Sequence, residues 1–77
     1  MALITDAATV WSSPITLNSD EIWQTRKGSV FVSTTTSPVA DDGLALHEFH
    51  AVQFSAGSTV SYRKEGDGDA LIVREAI

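Results

Sequence analysis

Cysteine is absent from the chain, which removes disulfides and the thiolate ligands of most structural zinc sites. Basic residues are scarce as well. Five Lys and Arg stand against ten Asp and Glu, for a net charge of −5, a balance that opposes general binding to phosphate backbones or anionic membranes. No run approaches the roughly 20 apolar residues that a membrane-spanning helix requires. The opening MALITDAATVW carries no basic segment and meets Asp6 early, so it reads poorly as a secretory signal. Long 3.6-period runs are missing too, which argues against a helical fold. These absences leave a protein expected to have no nucleic-acid or membrane partner, placed in the cytoplasm or assembled into something larger inside the cell.

What is present is alternation. In AVQFSAGSTVSY, residues 51–62, Val52 and Phe54 share one face, and Val60 and Tyr62 share another across Ala56-Gly57. That pattern predicts a β-hairpin. Ile15 to Leu17 reads as a short strand. Glu21 to Arg26 reads as another, with Ile22, Gln24 and Arg26 on one side and Trp23 and Thr25 on the other. Asp20 could instead cap one helical turn over EIWQ, but Trp, Ile and Thr favour the strand. Ser29 to Thr36 is the clearest strand, since its β-branched residues disfavour helix. Pro38 closes it, and the loop 37–43 leads to a strand over Leu44 to Phe49. His50-Ala51 marks a turn or bulge.

Gly66 and Gly68 sit among acids in a turn, after which Ala70 to Glu75 forms the last strand. There Leu71 and Val73 lie opposite Ile72 and Arg74, so apolar residues occupy both faces. Such a strand is central or is covered by a partner. The fold class expected is all-β, a small antiparallel β-sandwich or jelly-roll-like barrel of about seven short strands. Residues 1–77 form a single domain. Within it residues 1–13 are an N-terminal arm that packs on this domain or on a neighbouring subunit.

A β-rich chain this short buries a modest share of its surface and has strand edges to cover. With no disulfides to help, a symmetric homo-oligomer, dimer or trimer, is the expected remedy. Trp11, in a loosely patterned stretch, and Trp23 are the residues expected at such an interface.

Chemistry-bearing constellations are few. His47 and His50 flank Glu48 in LHEFH, a candidate metal set. An offset of three on a continuous strand sends the rings to opposite faces, so they meet only across a bend, and the H-E-x-x-H spacing of a zinc-peptidase helix is missing. The acids Asp41, Asp42, Asp67 and Asp69 occupy turns, where Asp bonds local backbone; Asp67 and Asp69 also lack a twelve-residue calcium loop. The hydroxyl-rich stretch Ser33 to Ser37 has no nucleophile-elbow context. An aromatic sugar platform would have to draw on Trp11, Trp23, Phe31, Phe49, Phe54 and Tyr62, most of which a small core needs. Arg63 and Arg74 are expected to pair with Glu65 or Glu75 on neighbouring strands. The expectation is a protein that is not an enzyme and has no catalytic residues and no cofactor.

The segment AVQFSAGSTVSYRKEGDGDALIV, residues 51–73, resembles the closing part of a cupin-like jelly roll. The metal-binding histidines and Glu of cupins are unmatched in it, so the resemblance implies the barrel and not the enzyme. The whole chain also resembles the small all-β proteins of bacterial prophages and gene-transfer-agent-like particles. That likeness implies a structural protein in contact with other particle proteins.

Overall fold

The alternation is realised as eight strands. A computed structural model describes residues 2–35, 38–39 and 42–77. The strands are β1 (Ala2–Ile4), β2 (Ile15–Thr16), β3 (Glu21–Lys27), β4 (Val30–Ser33), β5 (Leu44–Leu46), β6 (Ala51–Phe54), β7 (Thr59–Lys64) and β8 (Leu71–Ala76). They form two four-stranded antiparallel sheets, ordered β1-β8-β3-β6 and β2-β7-β4-β5. The pairs β1·β8, β2·β7, β3·β6 and β4·β5 are nested, so each strand meets the one equally far from the other end of the series. Contacts of β3 with β8 and of β4 with β7 then complete each sheet. This is the strand order of a jelly roll, a sandwich made by folding one long antiparallel ribbon over on itself.

The core lies between the sheets and is built on Trp23, which is 0% exposed. Strand β3 buries Glu21, Trp23 and Thr25 and turns Ile22 and Arg26 outward, as a period of two dictates. Phe54 meets the Trp23 ring edge-on at 5.6 Å and 83°, and Tyr62 approaches it from the opposite sheet at 6.2 Å. Val30, Val32, Val60 and Ile72 fill the remaining interior. Burial of each such aliphatic side chain stabilises by about 1.5–3 kcal/mol. Trp23 was expected at an interface between subunits; with its ring enclosed on all sides it offers no surface to a partner, and that expectation is corrected.

The residues 51–62 do not form a hairpin. Strand β6 pairs with β3 in the first sheet, whereas β7 pairs with β2 and β4 in the second. The connection is an arch that crosses the sandwich. Its turn closes through the Ser58 N–H bonding the Ser55 carbonyl, and its outer backbone bonds Leu17 and the Asp20 carboxylate. Phe54, Val60 and Tyr62 do face one another, but across the core and not along a shared ladder. Period-two alternation records which face a residue takes; it does not record which strand lies beside it.

Several bounds also shift. The strand expected over Leu44 to Phe49 ends at Leu46, and a turn occupies residues 47–50. Strand β4 stops at Ser33, and Thr36, Ser37 and Asp41 of the expected strand and loop lie outside the described residues. The N-terminal stretch docks on its own domain. Ala2–Ile4 pairs with β8, and Ala8 and Ser12 then bond the backbone of β7. Among the described residues no helix is long and apolar enough to cross a membrane.

Candidate functional site

The six aromatic residues separate into three places, so they make no common platform. Trp23, Phe54 and Tyr62 are core residues. Trp11 and Phe31 lie on the outer side of the second sheet, where the Arg63 guanidinium sits 5.4 Å from the Trp11 ring and 4.2 Å from the Phe31 ring. Trp11 donates its Nε1–H to the Val39 carbonyl at 2.8 Å, which ties the N-terminal stretch to the β4–β5 connection. Half-buried, it packs against its own domain. Cation–π contact of this kind contributes roughly 0.5–2 kcal/mol. Phe49 stands apart from both groups.

The histidines do converge. The turn over residues 47–50, closed by the His50 N–H on the His47 carbonyl, brings the two rings to 5.6 Å. Their Nδ1 atoms are already occupied. His47 Nδ1 shares a hydrogen bond with Ser29 Oγ at 2.9 Å, and His50 Nδ1 accepts from the His47 N–H. Glu48 turns to accept the Gly28 N–H at 3.3 Å. His47, Glu48 and His50 therefore bind parts of the fold, and among the described residues no three His, Asp or Glu side chains gather as a metal group.

The acidic turns behave as local structure. Asp42 accepts the Val39 N–H, and Asp69 meets Lys27 at 3.4 Å with both side chains mostly in solvent, a pairing that contributes little. Arg74 does not pair with Glu75 or Glu65. It spans instead to Glu21, because residues at i and i+1 on a strand point to opposite faces and Arg74 shares the inner face with Trp23. Arg63 lies over the Trp11 and Phe31 rings.

What the structure adds is the outer face of the first sheet. Register aligns Leu3, Val73, Gln24 and Ala51 in one row across the four strands, and Glu75, Ile22 and Gln53 in the next. On the other side of the first row come Leu71 and Arg26, where a bulge between Thr25 and Lys27 shifts the ladder. Leu3 is 54% exposed and Ile22 40%, while Val73 beneath them is only 9% exposed. Val73 lies outside the core cluster, so this second apolar layer is separate from the core. The apolar residues on both faces of Ala70 to Glu75 are thus accounted for twice: β8 is central in its sheet, and its outer side remains open.

Phe49 completes this face. It is 64% exposed and adopts φ of +68°, a conformation that bulky residues seldom take. Its N–H bonds the Thr25 carbonyl, and its carbonyl accepts from Gln24 Nε2 at 3.1 Å. Those bonds hold the ring at the mouth of an open groove of about 480 Å³, lined also by Leu3, Arg26, Lys27, Leu71 and Val73. A strained backbone that keeps a phenyl ring in solvent is a feature that stability alone does not select.

Sequence reasoning did not single out Leu3, Ile22, Phe49 or Val73 as surface. The one signal available was the two-sided apolar pattern of the last strand. No family model, no curated protein and no solved structure matches this chain.

Proposed function

We propose that the chain is a non-catalytic interaction module that works by forming a symmetric homo-oligomer. The observation that carries this reading is the gathering of the exposed Leu3, Ile22 and Phe49 around Val73 at the outer side of the first sheet. Contiguous exposed apolar surface of this kind marks contact sites, whereas single exposed apolar residues need no explanation. The setting proposed is a structural role, either free in the cytoplasm or among other proteins of a phage-derived particle. Light scattering over a range of concentrations tests it. An assembly larger than 8.2 kDa is expected, and a monomer at every concentration would remove the reading.

A second reading, a cupin-like domain that binds a metal, draws on one observation: the approach of the His47 and His50 rings. Their Nε2 atoms would be the ligands, since both Nδ1 atoms are engaged. Titration with zinc or nickel, followed by histidine NMR shifts, tests it. Unchanged ring resonances at millimolar metal would dismiss it.

A further inference from the structure

We infer that the outer edge of β6 pairs antiparallel with β6 of a second copy of this chain, joining the two first sheets into one continuous sheet. The inference rests on the self-association proposed above and places its contact at a strand edge.

In an antiparallel ladder the backbone of every second residue turns toward the neighbouring strand and the rest turns away. Thr25 donates to the His50 carbonyl. The register then turns Val52 and Phe54 toward β3 and leaves the N–H and C=O groups of Ala51 and Gln53 pointing away from the sheet. The other three edges are less open. The bond from Ile77 to Asp20 fixes the phase of β3·β8, which turns Ala2 and Ile4 of β1 inward and leaves Leu3 alone outward. The bond from Glu65 to Ser29 does the same for β4·β7 and leaves Ala45 of β5. Ser12 bonds the Tyr62 carbonyl, which leaves Thr16 of β2. Pro14 adjoins β2, and His50 Nδ1 caps the His47 N–H beside β5. Strand β6 has neither a charge nor a proline, the features that keep natural edges from pairing. Ala51 and Gln53 are exposed, and among the described residues nothing bonds their outward backbone groups.

A strand is complementary to its own copy about a two-fold axis normal to the sheet. Ala51 set against Gln53 of the other copy satisfies every one of these outward groups reciprocally. Other registers fail. Gln53 against itself leaves Ala51 facing Ser55, whose carbonyl already accepts the Ser58 N–H. Ala51 against itself leaves Gln53 facing the left-handed Phe49, whose N–H is on Thr25 and whose carbonyl is on Gln24. The first register also sets the half-buried Val52 of each copy directly opposite the other, at a closely spaced position that favours apolar pairs. No Asp or Glu lies between His50 and Ser55, so two acidic chains meet there without like charges opposed. The join sets the exposed Leu3, Ile22 and Phe49 of both copies on one side of the continuous sheet. So small a contact falls well short of the roughly 800 Å² per partner of a standard interface. The dimer is a reversible one, dissociating at roughly micromolar concentrations or above.

Amide hydrogen exchange by NMR on the full chain, from about 20 to 1,000 μM, tests the edge, with sedimentation velocity to follow assembly. The outward amides of Ala51 and Gln53 are expected to exchange freely in the monomer and about tenfold more slowly once roughly nine-tenths of the chain is dimer. Those of Leu3, Thr16 and Ala45 are expected to stay fast at every concentration. Gln53→Pro removes an N–H that no bond within the chain uses, and is expected to weaken the dimer by about tenfold or more. Circular dichroism confirms that this variant is folded; if it is not, the wild-type exchange pattern decides alone. A dimer whose Ala51 and Gln53 amides exchange as in the monomer would overturn this edge and leave the self-association reading standing. A chain that stays monomeric at every concentration would overturn both.

Discussion

The Glu21 carboxylate receives both Nε and Nη2 of Arg74, at 2.8 and 2.9 Å, across the join of β3 and β8. A third donor, Trp23 Nε1, reaches the same carboxylate at 3.0 Å, and the Arg74 guanidinium lies 5.3 Å from the Trp23 ring. The fold thus closes its core at this point with a largely buried ion pair whose carboxylate accepts three hydrogen bonds. The Arg74 bonds hold the Glu21 carboxyl below its usual range, against the opposing effect of burial. Removing one partner of such a pair strands the other. Glu21→Gln is expected to cost about 2–3 kcal/mol, at the lower edge of the range for buried pairs because Arg74 keeps some solvent contact.

The same pair sets an acid limit. A depressed carboxyl contributes stability that is complete above the unfolded-state value near 4.3 and is lost as pH falls through the folded-state value. Urea unfolding at pH 7 and at pH 3 is expected to show a larger drop for wild type than for Glu21→Gln.

Tyr62, the single tyrosine, sets an alkaline limit. Burial, and then the hydrogen bond it donates to Asp6 Oδ1 at 2.8 Å, push its hydroxyl up to about 12. For an acid with a raised value, stability is complete below the unfolded-state value near 10 and declines as pH rises through 12. Tyrosinate absorbance near 295 nm should show one late transition. Tyr62→Phe removes both that transition and the associated decline.

Two glycines with similar backbone angles separate strain from space. Gly28 has φ of +73° and Gly57 of +87°. A Cβ on Gly28 would fall 2.4 Å from the Asp69 carbonyl oxygen, while one on Gly57 would meet nothing. Gly57→Ala is therefore expected to cost about 1 kcal/mol from the left-handed conformation alone. Gly28→Ala should cost several times more, because the β7–β8 connection has to move. Thermal midpoints of the two variants check this.

Phe49→Asn is expected to stabilise the isolated domain by about 0.5–1 kcal/mol, since Asn accepts the left-handed conformation that Phe resists. A loss of stability would mean that the exposed ring packs on the groove more than it strains the chain. Denaturant midpoints at low protein concentration distinguish the two.

Much of this architecture was legible in the residue order. Alternation in β3, β4 and β8 placed Trp23, Val30, Val32 and Ile72 on faces that prove to be interior. Strand partners were not legible, and residues 51–62 show why: a hairpin and an arch across a sandwich need the same alternation and the same glycine. Trp23 was misplaced because a large ring suits an interface and a core equally; its neighbours Phe54 and Tyr62 decide the matter, and they arrive from other strands. The outer face escaped notice because Leu3, Ile22, Val73 and Phe49 come from separate segments that register alone brings together. His47 and His50 met across the bend that their spacing demanded, yet their bonds to Ser29 and to backbone were invisible without the fold.

The nested strand pairing also dictates an order of assembly. The β4·β5 pair closes the shortest loop; β3·β6, β2·β7 and β1·β8 each enclose the one before. Closing a longer loop costs more entropy, and that cost falls as inner pairs form first. Folding should therefore zip outward from the β4–β5 tip. Substitutions such as Val32→Ala are expected to slow folding, whereas Ile4→Ala should leave the folding rate nearly unchanged and speed unfolding.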